Sequence, residues 1–348
     1  MAFTVTPSAV SNTYQGPITL QVTGLTGGGP VVVQKFLDLN ANGTVDATDM
    51  LVQQFTLTDG QAGMVIGGVT NFNVPGDSDT IAGQITAKLR FPNGDFVQSI
   101  VGKYLIKVSG NFTPPLTNDF TITNFPYAQS LTGSVVSNNT STTISDAVVI
   151  LFPAPRGGNH GPGNPVAAAA ADNSGNYHIQ VPPGAYVPLA FSPNSVADYP
   201  TSPQLTLSGG QAIATNLTLS AATAAISGQV VDLSNPGIGL PGIFLPVVSQ
   251  SGLIAVAFSD TNGNFYAGVE PGTWSLEGEP PGLILHGYVG YQSGTNVSAG
   301  SNVTGAFPRA TAQFYGRVTD ILGNPLTAID IYANDNNGQF QSDGYSDT

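Results

Sequence analysis

Three imperfect copies of one sequence pattern constrain this chain more than any other feature. The clearest copy spans residues 226–274, and the others span residues 131–186 and 314–348. The matched glycines of successive copies are 95 and 88 residues apart. A period of this size indicates tandem small domains, because the units of a solenoid are much shorter.

The composition favours strands joined by turns. Of the 21 acidic residues, 3 are Glu and the remaining 18 are Asp, while Gly (43) and Pro (26) are abundant. Asp, Gly and Pro belong to turns, whereas the helix-favouring Glu, Lys and Arg are scarce. Short runs of Val, Ile, Thr and Phe lie between the turns. We therefore predict an all-β chain of tandem β-sandwich domains, immunoglobulin-like or transthyretin-like, arranged in an elongated rod.

The charge weighs against two classes of partner. The net charge is −13, and the eight basic residues form no patch that could neutralise phosphates. This weighs against nucleic acid and disfavours anionic membrane surfaces. No apolar run approaches 18 residues, so membrane insertion is not expected. The chain has no Cys, which excludes disulfides and thiolate metal sites.

The repeats suggest four units. We predict an N-terminal β-sandwich with a calcium loop at residues 1–125, and two repeat sandwiches at 126–221 and 222–308. Residues 309–348 then form the first half of a further repeat. Within the second unit, the alanine run at 167–171 is predicted as an edge strand and residues 204–220 as a closing hairpin. In the third unit, residues 283–290 (LILHGYVG) are predicted as a strand.

The repeat resembles a known domain family. Its pattern is carried in the third unit by Gly228, Val230, Asp232, Asp260, Gly263, Phe265, Pro271, Gly272 and Trp274, and in the second by Gly133, Val135, Asp172, Gly175, Tyr177, Pro183, Gly184 and Tyr186. This pattern resembles the carboxypeptidase regulatory-like domain, a transthyretin-like (prealbumin-like) sandwich related to the B-type repeats of collagen adhesins. The resemblance covers roughly residues 126–348 and implies a spacer, stalk or adhesion module whose motif residues are structural.

One motif in the first unit carries chemistry of its own. Between residues 38 and 49, oxygen-bearing side chains fall at loop positions 1, 3, 5, 9 and 12, with Gly43 at position 6. Alternate oxygen ligands converge on calcium when a glycine permits the sharp turn. The loop is dockerin-like, with Asp instead of Glu at position 12. The predicted calcium ligands are Asp38, Asn40, Asn42, Thr44 (through its carbonyl), Asp46 and Asp49.

Weaker motifs are interpreted as structural. Asp77 and Asp79 could add a second acidic site, but a solvated loop is the preferred interpretation. The turns at Asp172, Asp260 and Asp335 are treated as turns first. The three histidines, His160, His178 and His286, show no zinc-binding spacing, and there is no nucleophile elbow, P-loop or Rossmann glycine pattern. We therefore expect no catalytic residues, no cofactor other than calcium, and no enzyme activity.

These observations favour a non-enzymatic, extracellular bacterial surface protein: a stalk, adhesin or filament subunit stiffened by calcium. The first residues, Met-Ala-Phe-Thr, lack the features of a signal peptide. The chain is then either cytosolic or an exported protein whose signal is replaced by an initiator Met, and we favour the second. The alternative is a carbohydrate-binding accessory region of a larger secreted enzyme, which exposed coplanar aromatic side chains would favour. A surface glycan or protein is the expected ligand class.

The last copy of the repeat suggests a route to assembly. It breaks off at GYSDT, before the segments that match the closing strands of the other copies. Half a sandwich cannot bury its inner face. The sequence therefore predicts that residues 309–348 are either mobile or completed by another chain, in a homo-oligomer or filament formed by strand addition.

Overall fold

The computed structural model describes residues 1–346 apart from residues 27, 90–95, 156–163, 277, 279, 292–295 and 328. Within these residues there are thirty strands and one short α-helix, α1 (Pro280–Ile284). Short 3₁₀ turns lie at Phe96–Gln98 and Tyr199–Thr201. The prediction of an all-β, tandem-sandwich chain is confirmed. We keep the predicted divisions as labels for units 1 to 4.

Unit 1 consists of two facing sheets and a small two-stranded ladder between β6 and β7. One has the order β1–β3–β8 and the other β2–β10–β9–β4–β5, and their strand pairs are antiparallel except for β2 with β10. The core between them contains Ile18, Leu20 and Ile85 from the first sheet and Ile106 and Phe120 from the second. The strands are β1 (Ala2–Thr6), β2 (Ala9–Ser11), β3 (Ile18–Thr23), β4 (Pro30–Leu37), β5 (Met50–Thr58), β6 (Val65–Ile66), β7 (Val69–Thr70), β8 (Gln84–Leu89), β9 (Gly102–Gly110) and β10 (Phe112–Thr123).

Unit 2 has one sheet of order β13–β12–β15–β17, and a second in which β11 pairs with β14, β18 and β19. The alanine strand β13 lies at the edge of the first sheet, as predicted. The predicted hairpin at 204–220 is wrong, because β17 pairs with β15 while β18 and β19 run parallel to β11 in the other sheet. The strands are β11 (Gln129–Ser137), β12 (Val148–Pro153), β13 (Ala167–Ala170), β14 (Asn176–Val181), β15 (Gly184–Phe191), β16 (Ser195–Asp198), β17 (Leu205–Leu207), β18 (Ala212–Ala214) and β19 (Leu217–Ala221).

Unit 3 repeats this plan around Trp274, whose side chain is 1% exposed. In one sheet β20 pairs with β21, β24 and β28, and the other has the order β23–β22–β25–β27. The predicted strand at 283–290 is largely wrong, because α1 and a turn take its place. The strands are β20 (Ala224–Asp232), β21 (Asn235–Gly239), β22 (Phe244–Ser249), β23 (Leu253–Phe258), β24 (Asn264–Val269), β25 (Thr273–Leu276), β26 (Gly290–Tyr291), β27 (Asn296–Ser298) and β28 (Asn302–Phe307).

Unit 4 contains one hairpin, formed by β29 (Asp330–Asn334) and β30 (Phe340–Tyr345). Strand β30 also pairs with β26, so the hairpin extends a strand of unit 3 in the same chain. Residues 311–319, which match the first strand of each repeat, lie outside the strands. Among them, Phe314 is almost fully exposed. The terminal copy is thus partly attached to its own chain and partly uncovered.

The three complete sandwiches contact one another. Strand β16 pairs with β19 of unit 2 and with β23 of unit 3, so one ladder crosses the boundary. Unit 1 joins unit 2 where the Val101 N–H donates to the Ala168 carbonyl at 2.8 Å. Unit 1 also touches unit 3, since the rings of Phe96 and Phe244 meet edge-to-face at 5.2 Å. The predicted rod therefore has side contacts between its first and third units.

Candidate functional site

The predicted calcium loop connects β4 to β5 in unit 1. Two residues in it have positive φ, Ala41 (52°) and Gly43 (75°), and together they bend the chain back on itself. Glycine is suited to such a bend because it has no Cβ to clash. Leu39 and Met50, near the two ends of the loop, are buried in the core of unit 1. The loop is thus a surface excursion between two anchored strands, without the helices of an EF-hand.

Asp38 forms the inner wall of the loop. Its side chain is buried, and its carboxylate accepts hydrogen bonds from the backbone N–H groups of Asn42 (3.2 Å) and Gly43 (3.0 Å). These bonds hold the bend in place. A carboxylate oxygen has more than one lone pair, so both oxygens keep capacity to bind a cation.

Asp46 is the centre of the loop's side-chain hydrogen bonds. Its Oδ2 accepts from Asn40 Nδ2 (3.0 Å) and Asn42 Nδ2 (2.7 Å), and its Oδ1 accepts from the hydroxyl and N–H of Thr48. The bonds from Thr48, followed by those from the two amides, lower the pKa of Asp46. Asp46 is therefore ionised at neutral pH. Thr44 is bonded to Asn42, and its hydroxyl and N–H both donate to Asn42 Oδ1 at 2.7 Å.

The two carboxylate oxygens of Asp49 differ in their hydrogen bonding. Its Oδ2 accepts from the Asp46 N–H at 2.9 Å, whereas its Oδ1 is buried and has no hydrogen-bond partner. Burial, assisted by the negative charges of Asp46 and Asp38, raises the pKa of Asp49 to about 6. A buried carboxylate oxygen without a partner is costly. The position-12 side chain is thus the least satisfied member of the predicted ligand set.

The six predicted residues share one loop, but their carboxylates do not form a ready-made cage. Across the described part of the chain, no group of three or more His, Asp or Glu side chains is close enough to hold a metal ion. The side-chain amides of Asn40 and Asn42 both donate hydrogen bonds to the same oxygen of Asp46, Oδ2. Binding a cation would require these two amides to turn their oxygens inward.

A cleft of about 520 Å³ opens beside the loop. Its walls come from Phe36 and residues 47–51 of unit 1, from residues between 191 and 194 of unit 2, and from residues between 256 and 266 of unit 3. Most of the lining is apolar, and Tyr266 stands at the cleft with 56% of its surface exposed. Junctions between domains commonly hold ligand sites of this size. No sequence pattern predicts this cleft, because its walls are far apart in the chain.

Lys35 is a buried cation that the sequence patterns did not single out. It is 3% exposed, and its Nζ donates to the backbone carbonyl (3.2 Å) and side-chain Oε1 (3.0 Å) of Gln98. The Nζ also lies 4.6 Å from the ring centroid of Tyr104 and 5.6 Å from that of Phe120, within range of cation–π attraction. The signal that could have found it is a lysine within the apolar run PVVVQKFL.

The weaker acidic motifs are structural in two different ways. Asp77 is buried, so the prediction of a solvated loop is wrong for it; its carboxylate accepts from the N–H groups of Gly60, Asp79 and Thr86. Asp172 and Asp260 each accept the N–H groups two and four residues later, as turn residues do. His178 lies on β14 with its side chain exposed, and His160 lies outside the described residues.

Comparison with solved structures yields only distant similarity. The chain aligns with the Bacillus anthracis TIE protein at 11% identity and a TM-score of 0.23, covering 99% of this chain and 65% of that one. A streptococcal ancillary pilin aligns at 12% identity and a TM-score of 0.22, covering 83% and 95% of the two chains. GBS52, the minor pilin of Streptococcus agalactiae, aligns at 14% identity and 0.22, covering 54% and 99%. These scores are too low to bear on function.

The chain thus spans about 65% of the length of the first of these structures. No protein-family model and no curated protein matches the sequence. Among the described residues, no helix is long and apolar enough to cross a membrane.

Proposed function

We propose that this chain is a non-enzymatic structural protein of the extracellular surface, serving as a stalk, adhesin or filament subunit. The observation that carries this proposal is the ladder through β16, which joins unit 2 to unit 3 by backbone pairing on both sides. Unit 1 adds a second such joint through Val101 and Ala169. Backbone joints of this kind resist separation of the units, which a flexible linker would not do.

The repeat motif supports the same proposal. Gly133 and Gly228, which the resemblance to carboxypeptidase regulatory-like domains singles out, pack tightly against the backbone carbonyls of Thr215 and Val303. Tyr177 and Trp274 are buried in the cores of their units. The motif residues thus serve the sandwich itself. Trp274 in particular is not a surface platform for sugar rings, so the carbohydrate-binding alternative gains no support from it.

Force spectroscopy on a single molecule tests the structural role. Units 2 and 3 should unfold together, because extension must break the β16 ladder before either unit opens. Ala197→Pro, which places a proline in β16 opposite Ile254, should split this event into two weaker ones. Independent unfolding of the two units in the unaltered protein would contradict the proposal.

We further propose that the loop at 38–49 binds calcium through Asp38, Asn40, Asn42, Thr44, Asp46 and Asp49. The spacing of oxygen ligands and the unpartnered Oδ1 of Asp49 support this. Calcium would supply the positive partner that Asp49 lacks and replace the two amide donors at Asp46. Extracellular calcium modules of this type bind with Kd of about 10⁻⁴ to 10⁻³ M.

Isothermal titration calorimetry tests the calcium proposal directly. The unaltered protein should bind one calcium ion per chain at this loop, and Asp49→Asn or Asp46→Asn should weaken binding at least tenfold. Asp172→Asn is the matched control, since it alters a turn carboxylate of unit 2 and should leave binding unchanged. No heat at millimolar calcium, or equal binding by the Asp49 variant, would refute calcium at the loop.

Assembly through unit 4 is the third part of the proposal. Strand β29 lies at the edge of the sheet β26–β30–β29, and its Ile331 and Tyr332 are both exposed. Unpaired edge strands accept strands from other molecules. Ile331→Pro, which blocks pairing along this edge, should weaken a strand-added assembly without unfolding units 1 to 3. Unchanged assembly in this variant would exclude the edge of β29 as the joint.

A further inference from the structure

The first half of unit 4 presents large side chains that no other part of the described chain covers. Phe314 is 92% exposed and Tyr315 is 75% exposed, and Arg317 follows them on an exposed segment. Of the two basic residues after position 156, Arg309 is paired with Asp232. Arg317 has no ion-pair partner in the described residues. An aromatic ring and a free guanidinium therefore stand two residues apart.

The repeat register separates these side chains into two groups. Phe314 matches Leu131 and Ile226, which are fully buried in their own units. Tyr315 instead matches Thr132 and Ser227, which are only partly buried. Arg317 matches Ser134 and Gln229, which are partly buried as well. Alternate residues of an extended segment face the same side, so Tyr315 and Arg317 would share the outer face. They would stay accessible to another molecule there even if the sandwich of unit 4 were completed.

The cleft between units 1, 2 and 3 has a lining that is chemically complementary to Tyr315 and Arg317. It is lined by Phe258 and Tyr266, and by the acidic residues Asp49 and Asp260. None of its lining residues is basic. Such a surface favours a ligand that combines an aromatic or aliphatic body with a positive charge, because carboxylates and aromatic faces both attract guanidinium.

We propose that Tyr315 and Arg317 of one molecule insert into this cleft of a second copy of the same chain. The Tyr315 ring would pack on Phe258 and Tyr266, and the Arg317 guanidinium would approach Asp260. Tyr and Arg are among the residue types most enriched at the energetic centres of protein interfaces. This inference rests on the proposed assembly and names the surface that receives the terminal segment.

The geometry of the contact predicts a ring or an open filament. The inserting segment and the receiving cleft are different surfaces of one molecule, so the contact is head-to-tail. Head-to-tail contacts produce rings or open filaments, whereas self-complementary patches produce closed dimers. Attraction between Arg317 and the carboxylates also makes the contact weaker at high salt.

Sedimentation velocity over a concentration series tests the inference, in calcium and in chelator. The unaltered protein should form species that grow with concentration. Tyr315→Ser, Arg317→Glu and, from the side of the cleft, Tyr266→Ser should each weaken association at least tenfold. Ile321→Ser is the matched control, because it removes another exposed apolar side chain of unit 4 and should leave association through the cleft unchanged.

A charge exchange makes the test specific. Thr261 is an exposed residue of the cleft. Adding Thr261→Lys to Arg317→Glu places a positive charge beside Asp260 for the introduced glutamate to meet, and should restore association in the double variant. Circular dichroism on each variant checks that the fold is intact. Failure of the double variant to recover association would overturn the proposed pairing.

The remaining outcomes separate this inference from the function on which it rests. Association that is lost in Phe314→Ser and Ile331→Pro, but kept in the Tyr315 and Arg317 variants, would show strand addition and overturn the cleft contact. A protein that stays monomeric at all concentrations would overturn both modes of assembly. Calcium binding and the joint unfolding of units 2 and 3 are measured in separate experiments. Neither of these two association results would therefore refute the stalk proposal.

Discussion

Trp274 donates a hydrogen bond from its Nε1 to the carbonyl oxygen of Glu270, four residues earlier, at 3.0 Å. The same relationship occurs in each of the other two sandwiches, between Tyr186 and Pro182 and between Tyr104 and Ile100, at 2.8 Å in both. A glycine precedes each aromatic residue by two positions, at Gly272, Gly184 and Gly102. Unit 1 therefore shares a local motif with the two repeats.

Removing this hydrogen bond alone should cost little, and removing the ring should cost much. Tyr186→Phe leaves the Pro182 carbonyl without its donor and should lower the free energy of unfolding by about 1 kcal/mol. Trp274→Ala empties a buried site and should cost about 3–5 kcal/mol. Urea unfolding followed by circular dichroism measures both. Equal losses in the two variants would show that the hydrogen bond, and not the packing, dominates.

The matched glycines of the repeats should differ in their tolerance of a side chain. A Cβ on Gly133 would overlap the Thr215 carbonyl, and one on Gly228 would overlap the Val303 carbonyl. Gly133→Ala and Gly228→Ala should each lower the stability by about 2–3 kcal/mol. Gly316 has nothing within 4 Å of its added Cβ, so Gly316→Ala should stay within about 0.5 kcal/mol. Thermal unfolding of each of the three variants measures these losses. A large loss of stability in Gly316→Ala would show that Gly316 also lies close to a neighbouring backbone carbonyl.

The class of fold is predictable from the sequence because it depends on local signals. The turn at Asp260 and the buried position of Trp274 follow from residues close together in the chain, and the structure has both as expected. The prediction at residues 283–290 is wrong because the apolar run LILHGYVG is equally compatible with a short buried helix. The pairing of β18 with β11 joins segments about eighty residues apart, which no local pattern specifies.

The candidate sites also divide into features that the local sequence predicts and features that depend on contacts between distant segments. The calcium loop is contiguous, so its six residues follow from their spacing along the chain. The state of Asp49, with one oxygen bonded to Asp46 and the other unpartnered, depends on how the loop packs. The cleft with Tyr266 requires three units to meet. Lys35 stands out within an apolar run, but its partner Gln98 lies 63 residues away.

The buried carboxylate of Asp232 connects unit 3 to the segment that leaves it. Asp232 Oδ2 accepts from Arg309 Nε at 2.6 Å and from the Tyr288 hydroxyl at 2.9 Å. Burial would raise the pKa of Asp232, but the hydrogen bonds from Ser234, Arg309 and Tyr288 outweigh it and lower that pKa. The ionised form is therefore stabilised by folding, and this stability is lost as the pH falls below the unfolded value of 3.8.

Arg309→Met should leave this carboxylate buried without its positive partner. The free energy of unfolding at neutral pH should fall by about 2–3 kcal/mol, less than for a fully buried pair, because the Arg309 side chain is 50% exposed. Loss of the arginine also raises the folded pKa of Asp232, so acid unfolding should begin at a higher pH. The fluorescence of Trp274, the single tryptophan of the chain, reports on the same unit. An unchanged acid transition would show that the pair with Arg309 does not stabilise the ionised form.

His286 should make unit 3 sensitive to mild acid. Burial lowers the pKa of its imidazole from 6.5 to about 4. Between these two pH values the unfolded chain binds a proton at this imidazole and the folded chain does not. The stability of the folded state therefore decreases as the pH falls from about 6.5 to about 4. The decrease attributable to this residue is at most about 3 kcal/mol across that window, because part of the residue still reaches the surface. In His286→Gln the difference in unfolding free energy between pH 7 and pH 4 should be smaller by that amount. Parallel pH profiles for the variant and the unaltered protein, measured by urea unfolding, would show that the ring accepts a proton without loss of folding.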